Sequence, residues 1–179
     1  PAAPAAIVDQ TGSGLGRLDI LVNNASNFSE SELDNWTDDH WETVFRVNLF
    51  APALLAKAAV PLMQRGGSGR IINLADILAD RPIRRFAAYC ASKAALVSLT
   101  RSLARELAPA ITVNAIAPGI AVFPDHYDQA LREKLIRQVP LKRAGSPEEI
   151  AATVRFLIAQ GDYITGQVIN VDGGRSIVP

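Results

Sequence analysis

Three short runs of hydrophobic residues along the chain each end in polar or turn-forming residues. The runs cover residues 18–22, 70–74 and 111–116 and are rich in isoleucine, leucine and valine. Nearly continuous apolar runs of this length predict strands of a parallel sheet that is buried on both faces. In open α/β sheets, ligands bind at the carboxyl ends of the strands, so the residues after each run are the candidate site.

The residues between these runs have the spacing of helices. We predict helices over residues 38–45, 48–64, 86–107, 129–139 and 147–159, and a last strand over residues 167–171. Thr37 is a candidate N-cap. Ser146 and Glu149 form a capping box with Pro147 at the first helical position. We therefore predict an α/β chain with a doubly wound parallel sheet, in which residues 1–179 form a single domain.

The most informative chemistry lies at the start of the helix over residues 86–107. Tyr89 and Lys93 are four positions apart and so lie on one helical face, where the hydroxyl and the ammonium can converge. A phenol with a pKa of about 10 is a poor proton donor at neutral pH, and a neighbouring cation lowers that pKa. Asp76 follows the second predicted strand, thirteen positions before Tyr89. This combination indicates general acid catalysis.

Five ordered motifs resemble those of the short-chain dehydrogenase/reductase family. They are Asn23-Asn24-Ala25, the helix with Asn48, the helix with Tyr89 and Lys93, Pro118-Gly119, and Val171-Asp172-Gly173-Gly174. The resemblance extends from about Gly16 to the C-terminus. It implies a Rossmann-like sheet and a nicotinamide-dependent oxidoreductase.

Within the family, the chain most resembles the pteridine reductases. Most members have serine thirteen residues before the tyrosine, whereas pteridine reductases resemble this chain in having aspartate there, which is Asp76. The segment Asn23-Asn24-Ala25-Ser26-Asn27-Phe28 is similar to the Asn-Asn-Ala-Ser-x-Phe of that subfamily, and so are residues 163–175. The resemblance implies NADPH-dependent reduction of a dihydropterin or dihydrofolate, by a homotetramer like similar reductases.

The resemblance also implies catalytic roles for individual residues. Tyr89 would donate a proton to a ring nitrogen, and Asp76 would hold or relay that proton if burial raises its pKa. Lys93 would lower the pKa of Tyr89 and hydrogen-bond the nicotinamide ribose. Asn48 would organise water behind the lysine.

Binding residues follow from the same resemblance. The cofactor would contact Asn24, Ala25, Ser26, Tyr89, Lys93, Pro118, Gly119 and Ile120. Phe28 would stack on the pterin opposite the nicotinamide, because a flat heteroaromatic ring is well held between two π faces.

The segment that would bind the cofactor pyrophosphate is missing from this pattern. Family members resemble one another in beginning with a strand, a glycine-rich turn and a helix, whereas the run over residues 18–22 corresponds to the family's fourth strand. Residues 11–16 contain three glycines, but no strand precedes them and their spacing is not that of a phosphate loop. We predict the end of a helix and a turn there. We therefore expect the C-terminal part of a Rossmann-type reductase, whose sheet lacks the first strands and exposes an edge that promotes aggregation.

Composition excludes several other classes of protein. Lys plus Arg equals Asp plus Glu at 18 each, which gives no electrostatic signature for nucleic acid or an anionic membrane. One cysteine excludes an internal disulfide and fits a reducing compartment. No apolar run approaches the roughly 18 residues of a membrane span, so we expect a cytoplasmic protein. His40 and His126 have no partner at ligand spacing, so no metal site is predicted.

Some alternatives stay open at this point. A reductase of a carbonyl compound is the first, although family members of that kind use a serine hydroxyl where this chain has Asp76. An inactive fragment or interaction subunit is the second, favoured by the missing cofactor half. Arg81, Arg84 and Arg85 form either a solvated loop, which we prefer, or an anchor for an acidic substrate tail.

Overall fold

The computed structural model describes residues 2–178 and contains a parallel sheet of four strands. The strands are β1 (Ile20–Asn23), β2 (Gly69–Leu74), β3 (Ile111–Pro118) and β4 (Val168–Val171). They are hydrogen-bonded in the order β1-β2-β3-β4. Parallel pairing brings the carboxyl ends of all four strands to the same edge of the sheet. The predicted α/β class and the Rossmann-like parallel sheet are confirmed.

Within the described residues, six α-helices connect or flank the strands. They are α1 (Ala2–Leu15), α2 (Asp38–Phe45), α3 (Ala51–Arg65), α4 (Ala87–Leu107), α5 (Gln129–Arg137) and α6 (Pro147–Gln160). Thr37 and Ser146 cap α2 and α6 through their side-chain oxygens, as predicted. Gly12 and Gly14 lie inside α1, which ends before Gly16 at a positive φ of 76°. The prediction of a helix end and a turn over residues 11–16 is therefore confirmed.

A π-helical turn, Arg46–Phe50, joins α2 to α3, where the sequence predicted two separate helices. Pro52 explains this turn, because proline has no N–H to donate and its ring crowds the carbonyl one turn earlier. The extra residue of a π turn relieves that conflict. As a result, α2 and α3 form one continuous helical run, and Asn48 lies in its wider turn.

The sheet is buried on two faces by different helices. Ile71 and Val113 pack with α1, α3 and α4 on one face. Ile72 and Ile116 pack against Leu157 of α6 on the other face. This alternation follows from the two-residue period of strand side chains, and it explains why the strands carry apolar side chains on both faces.

The run from Asp38 to Arg65 corrects the expectation that no segment of the chain is long and apolar enough to span a membrane. It reaches a mean hydropathy of 1.4 over an 18-residue window, so by length and composition it could cross a membrane. In this fold the run packs against α1, α4, β1 and β2. Core helices pass the same test, so this run is weak evidence for a membrane span.

Strand β1 is an edge of the described sheet. It pairs only with β2, and its Ile20 and Val22 side chains are 40% and 39% exposed. An apolar edge strand with unpaired backbone groups can pair with another chain.

Ile20→Lys should therefore reduce self-association, because a lysine on an exposed edge opposes further strand pairing. Light scattering after size-exclusion chromatography, over a series of protein concentrations, measures the effect. Leu15→Lys makes the same change at an exposed position of α1 and should not help. Equal association of Ile20→Lys and the unchanged chain would contradict this explanation.

Candidate active site

Asp76 and Tyr89 meet at the carboxyl edge of the sheet. Asp76 follows β2 and caps a short 3-10 turn by accepting a hydrogen bond from the backbone N–H of Leu78 at 2.8 Å. Its other oxygen, Oδ2, accepts a hydrogen bond from the Tyr89 hydroxyl at 2.7 Å. Tyr89 lies in the first turn of α4, where its side chain points back toward the end of β2. Asp76 and Tyr89, which are thirteen positions apart in the sequence, are thus in direct contact.

Burial sets the proton affinities of this pair. Desolvation raises the pKa of Asp76, and this effect exceeds the opposing effects of the hydrogen bonds from Leu78 and Tyr89. Desolvation and the neighbouring Asp76 carboxyl raise the pKa of the Tyr89 hydroxyl far above its ordinary value. The structure therefore does not show the expected lowering of the Tyr89 pKa by Lys93. The condition set for Asp76, that burial raises its pKa, is met, and its role in proton transfer stays a prediction.

Lys93 is a buried cation beside the pair. Its side chain is 2% exposed, and its Nζ donates to the backbone carbonyl of Leu74 at 2.7 Å. The Nζ lies 5.7 Å from the centroid of the Tyr89 ring. Burial lowers the pKa of Lys93 to about 8, although Asp76 opposes this effect. Lys93 is thus poised to change charge near neutral pH.

Asn48 ties the loop after β1 to helix α4. Its Oδ1 accepts from the backbone N–H of Asn27 at 2.7 Å, and its Nδ2 donates to the Asn27 carbonyl at 3.0 Å. The same Nδ2 donates to the Ser92 hydroxyl at 2.9 Å, and Ser92 donates to the Tyr89 carbonyl at 2.6 Å. The Asn48 side chain therefore positions this loop against α4. Its role in organising water stays a prediction.

Two cavities open beside Tyr89, and both are lined by Asp76 and Tyr89. The larger, of about 550 Å³, we call the cofactor cavity. The smaller, of about 260 Å³, we call the substrate cavity. Of the predicted binding residues, Asn24, Ser26, Lys93 and Pro118 line the cofactor cavity, and Phe28, Gly119 and Ile120 line the substrate cavity. Ala25 follows Asn24 in the same loop but lines neither.

Gly119 lies in the wall of the substrate cavity, where β3 and β4 end. A Cβ atom at this position would lie 2.8 Å from the Cα of Asp172, so a side chain does not fit without movement. The Gly119 N–H donates to the Val171 carbonyl at 3.0 Å. Glycine is therefore required for the close approach of the two strand ends.

Phe28 lies in the substrate cavity, but one of its faces is already occupied. Its ring stacks on Phe86 with a centroid distance of 4.4 Å and an interplanar angle of 14°. It also meets Tyr89 edge-on, with a centroid distance of 4.7 Å. Only the other face of Phe28 can meet a ligand. Its stacking on a substrate stays a prediction.

Two polar residues of the substrate cavity, Tyr127 and Arg175, are not among the residues predicted from the sequence. Tyr127 comes from the loop before α5, and Arg175 lies four positions after the end of β4. The rule that ligands bind at strand ends would have found Arg175, had it been applied to β4 as it was to β1, β2 and β3. Nothing local in the sequence distinguishes Tyr127.

The cofactor cavity fits one half of a dinucleotide. Lys93 and the Asn24–Ser26 loop supply hydrogen-bonding groups for a nicotinamide and its ribose. A pyrophosphate needs backbone N–H groups at a helix N-terminus. Within residues 2–178, the glycines at 12 and 14 are helical and form no such loop. The same residues hold no group of three or more His, Cys, Asp or Glu that would bind a metal.

Burial of Lys93 predicts a pH dependence of stability. Because its pKa falls from 10.5 to about 8 on folding, the unfolded chain binds the proton more tightly. The free energy of unfolding should therefore rise by about 3 kcal/mol between pH 8 and pH 10.5. Lys93→Met should lack this rise, as measured by urea unfolding at several pH values. The same rise in Lys93→Met would mean that another group causes it.

Known proteins resemble this chain over nearly its whole length. The family model described as Enoyl-(Acyl carrier protein) reductase matches residues 1–176. A 3-oxoacyl-acyl-carrier-protein reductase of Staphylococcus aureus is 40% identical over 173 residues, which are 94% of this chain and 70% of that protein. A reductase of the same name from Thermotoga maritima is 35% identical over 175 residues, covering 96% of this chain and 71% of its own length.

Solved structures have the same architecture. A protein of Sinorhizobium meliloti, named as a short-chain alcohol dehydrogenase, superposes with a TM-score of 0.94 at 33% identity, covering 99% of this chain and 73% of its own. A protein of Escherichia coli named as an oxidoreductase gives a TM-score of 0.87 at 34% identity, covering 98% and 71%. Together with the Asp76, Tyr89 and Lys93 geometry, these matches show that the chain belongs to the short-chain dehydrogenase/reductase family and is an oxidoreductase.

Proposed function

We propose that this protein is an NADPH-dependent reductase of a small carbonyl compound, with Tyr89 as the proton donor. The observation that carries the proposal is the 2.7 Å hydrogen bond between Tyr89 and Asp76 beside the buried Lys93. The relatives named as 3-oxoacyl-acyl-carrier-protein reductases favour a carbonyl substrate over the pterin that the sequence alone suggested.

Tyr89, Lys93 and Asp76 each have a different role in the proton transfer. When bound, the nicotinamide supplies the hydride that reduces the carbonyl carbon. Tyr89 donates its proton to the substrate oxygen as negative charge develops there. The Lys93 ammonium stabilises the resulting phenolate. A proton taken up from solvent by the Asp76 carboxyl, whose pKa burial raises, then passes to the Tyr89 oxygen. Asn48 and Ser92 hold α4 and the loop after β1 in place during this transfer.

The shape of the substrate cavity supports a compact, mostly apolar substrate. Its volume is about 260 Å³, and most of its wall is aliphatic or aromatic. The apolar lining residues are Phe28, Ile77, Leu78, Ile83, Ile120, Val122, Phe123, Pro124 and Leu135. An apolar wall excludes water and strengthens the electrostatic effects of Lys93 and Asp76 on the reacting oxygen.

Reduction of a pterin is the second candidate. Asp76 favours it, because a carboxyl can pass a proton to a ring nitrogen, whereas the serine of similar reductases polarises a carbonyl. The half-exposed ring of Phe28 in the same cavity offers a stacking surface. For either substrate, we propose a cytosolic homotetramer in which this chain acts as a single domain, on the basis of the family resemblance.

Tyr89→Phe should lower kcat by about 100-fold or more, because it removes the proton donor and keeps the ring. Cofactor binding should survive, as followed by NADPH fluorescence. Tyr163→Phe changes a fully exposed tyrosine in the same way and should keep normal turnover. Normal turnover of Tyr89→Phe would refute its role as the donor.

Asp76→Ser should distinguish the two candidate substrates. The serine hydroxyl can polarise a carbonyl but cannot return a proton to Tyr89, so ketone reduction should fall but remain measurable, whereas pterin reduction, which needs the carboxyl to pass a proton to a ring nitrogen, should be lost. The test follows NADPH absorbance with a panel of ketones and with dihydrobiopterin and dihydrofolate, for both the unchanged chain and the variant. If only pterins are reduced and the variant loses that activity, the pterin reductase is correct and the carbonyl proposal fails.

A further inference from the structure

Arg175 places a positive charge in the wall of the substrate cavity. The residue is half-buried, follows β4 in a 3-10 turn, and lines the same cavity as Tyr89 and Asp76. Its guanidinium donates to the side-chain oxygen of Gln138 at 3.3 Å. Among residues 2–178 it forms no ion pair with a carboxylate. A half-buried guanidinium of this kind is a receptor for an anion.

A second guanidinium lies beside it. Arg81 donates to the backbone carbonyls of Arg175, at 2.6 Å, and of Val178. Both arginines line a further cavity of about 220 Å³, which shares Ile77, Leu78, Ile83 and Arg175 with the substrate cavity. The two spaces therefore adjoin, and Arg175 stands at their boundary.

The neighbouring acids do not neutralise Arg175 by direct contact. Asp172 accepts hydrogen bonds from the backbone N–H groups of Gly174 and Ser176, at 2.9 and 2.6 Å. Asp76 is engaged by Leu78 and Tyr89. Burial, and after it the charge of Arg81, lowers the pKa of Arg175. An anion between the two guanidinium groups would remove this unfavourable interaction.

We infer that Arg175, assisted by Arg81, binds a carboxylate of the substrate, so that the reductase acts on oxo acids. This inference rests on the proposed carbonyl reduction and adds the substrate class. The apolar walls hold the carbon chain, Tyr89 protonates the ketone oxygen, and Arg175 selects the acid over neutral ketones. The resulting product is a hydroxy acid, formed by one hydride and one proton.

The test compares oxo acids with their own esters. Acetoacetate and levulinate are assayed beside their methyl esters at saturating NADPH. Each acid should have a kcat/KM about tenfold or more above its ester, mainly through KM, because a hydrogen bond to a charged group is stronger than one to a neutral carbonyl. Equal values for acid and ester would overturn the inference, and so would better reduction of an acetoacetyl thioester than of the acid.

Variants of Arg175 test whether this residue causes the preference for oxo acids over their esters. Arg175→Gln should lower kcat/KM for the acids by about tenfold and leave the esters unchanged, while Arg175→Lys should retain part of the preference. Arg101→Gln alters an exposed arginine of α4 away from the cavity and should behave like the unchanged chain. A full preference for acids in Arg175→Gln would overturn the assignment.

Failure of the proposed function gives a different result. If neither acids nor esters are reduced, carbonyl reduction is refuted, and calorimetry of levulinate binding then tests the anchor by itself. Weaker binding to Arg175→Gln than to the unchanged chain would support the anchor. Equal binding, or none to either, would overturn it.

Discussion

The hydrogen bond between Tyr89 and Asp76 fixes helix α4 against the end of strand β2, and the arrangement of the site follows from it. Two further polar contacts act along the same helix. Lys93 donates to the Leu74 carbonyl, and the Asn73 amide donates to Thr100. Positions 89, 93 and 100 fall within about 40° of one another around a helix. One polar stripe of α4 therefore sets both its rotation and its position on the sheet.

The burial of Lys93 and Asp76 destabilises the folded chain but gives both groups pKa values that suit proton transfer. A lysine that is 2% exposed and an aspartate with a raised pKa are both held where their charged forms are poorly solvated. The backbone carbonyl of Leu74 and the N–H of Leu78 offset part of this penalty. Groups whose pKa values depart from normal in a cavity are characteristic of catalytic sites. The same burial that destabilises the charges raises the pKa of Asp76 and lowers that of Lys93, and so moves both toward neutral pH.

Sequence patterns could predict the sheet, the helices and the meeting of Asp76 with Tyr89, because strand ends and helical spacing are local geometry. They could not predict the π turn around Asn48, whose cause, Pro52, acts through a backbone clash. They also gave no sign that burial raises the pKa of Tyr89, because desolvation depends on the packing of the whole fold. Phe28 was assigned to a ligand, yet Phe86 covers one of its faces. Such long-range pairings leave no signal in the spacing of residues.

Arg175 shows a different limit of prediction from the sequence. Its position after the Gly173-Gly174 turn placed it at the correct edge of the sheet, but its significance depends on the neighbouring Arg81, which is far away in sequence. Both glycines have positive φ values, of 63° and 86°, and so turn the chain back toward the cavity. The substrate class is thus encoded by tertiary packing, whereas the proton-transfer chemistry is encoded largely by local motifs.

In the proposed mechanism, burial keeps the Asp76 carboxyl available as a proton source for Tyr89. Infrared titration of the carboxyl bands, with the spectrum of Asp76→Asn subtracted, measures this directly. The midpoint for Asp76 should lie above the ordinary aspartate value of 3.8. A midpoint at or below that value would show that Asp76 is an ordinary ionised carboxylate, and would contradict its role as a proton source.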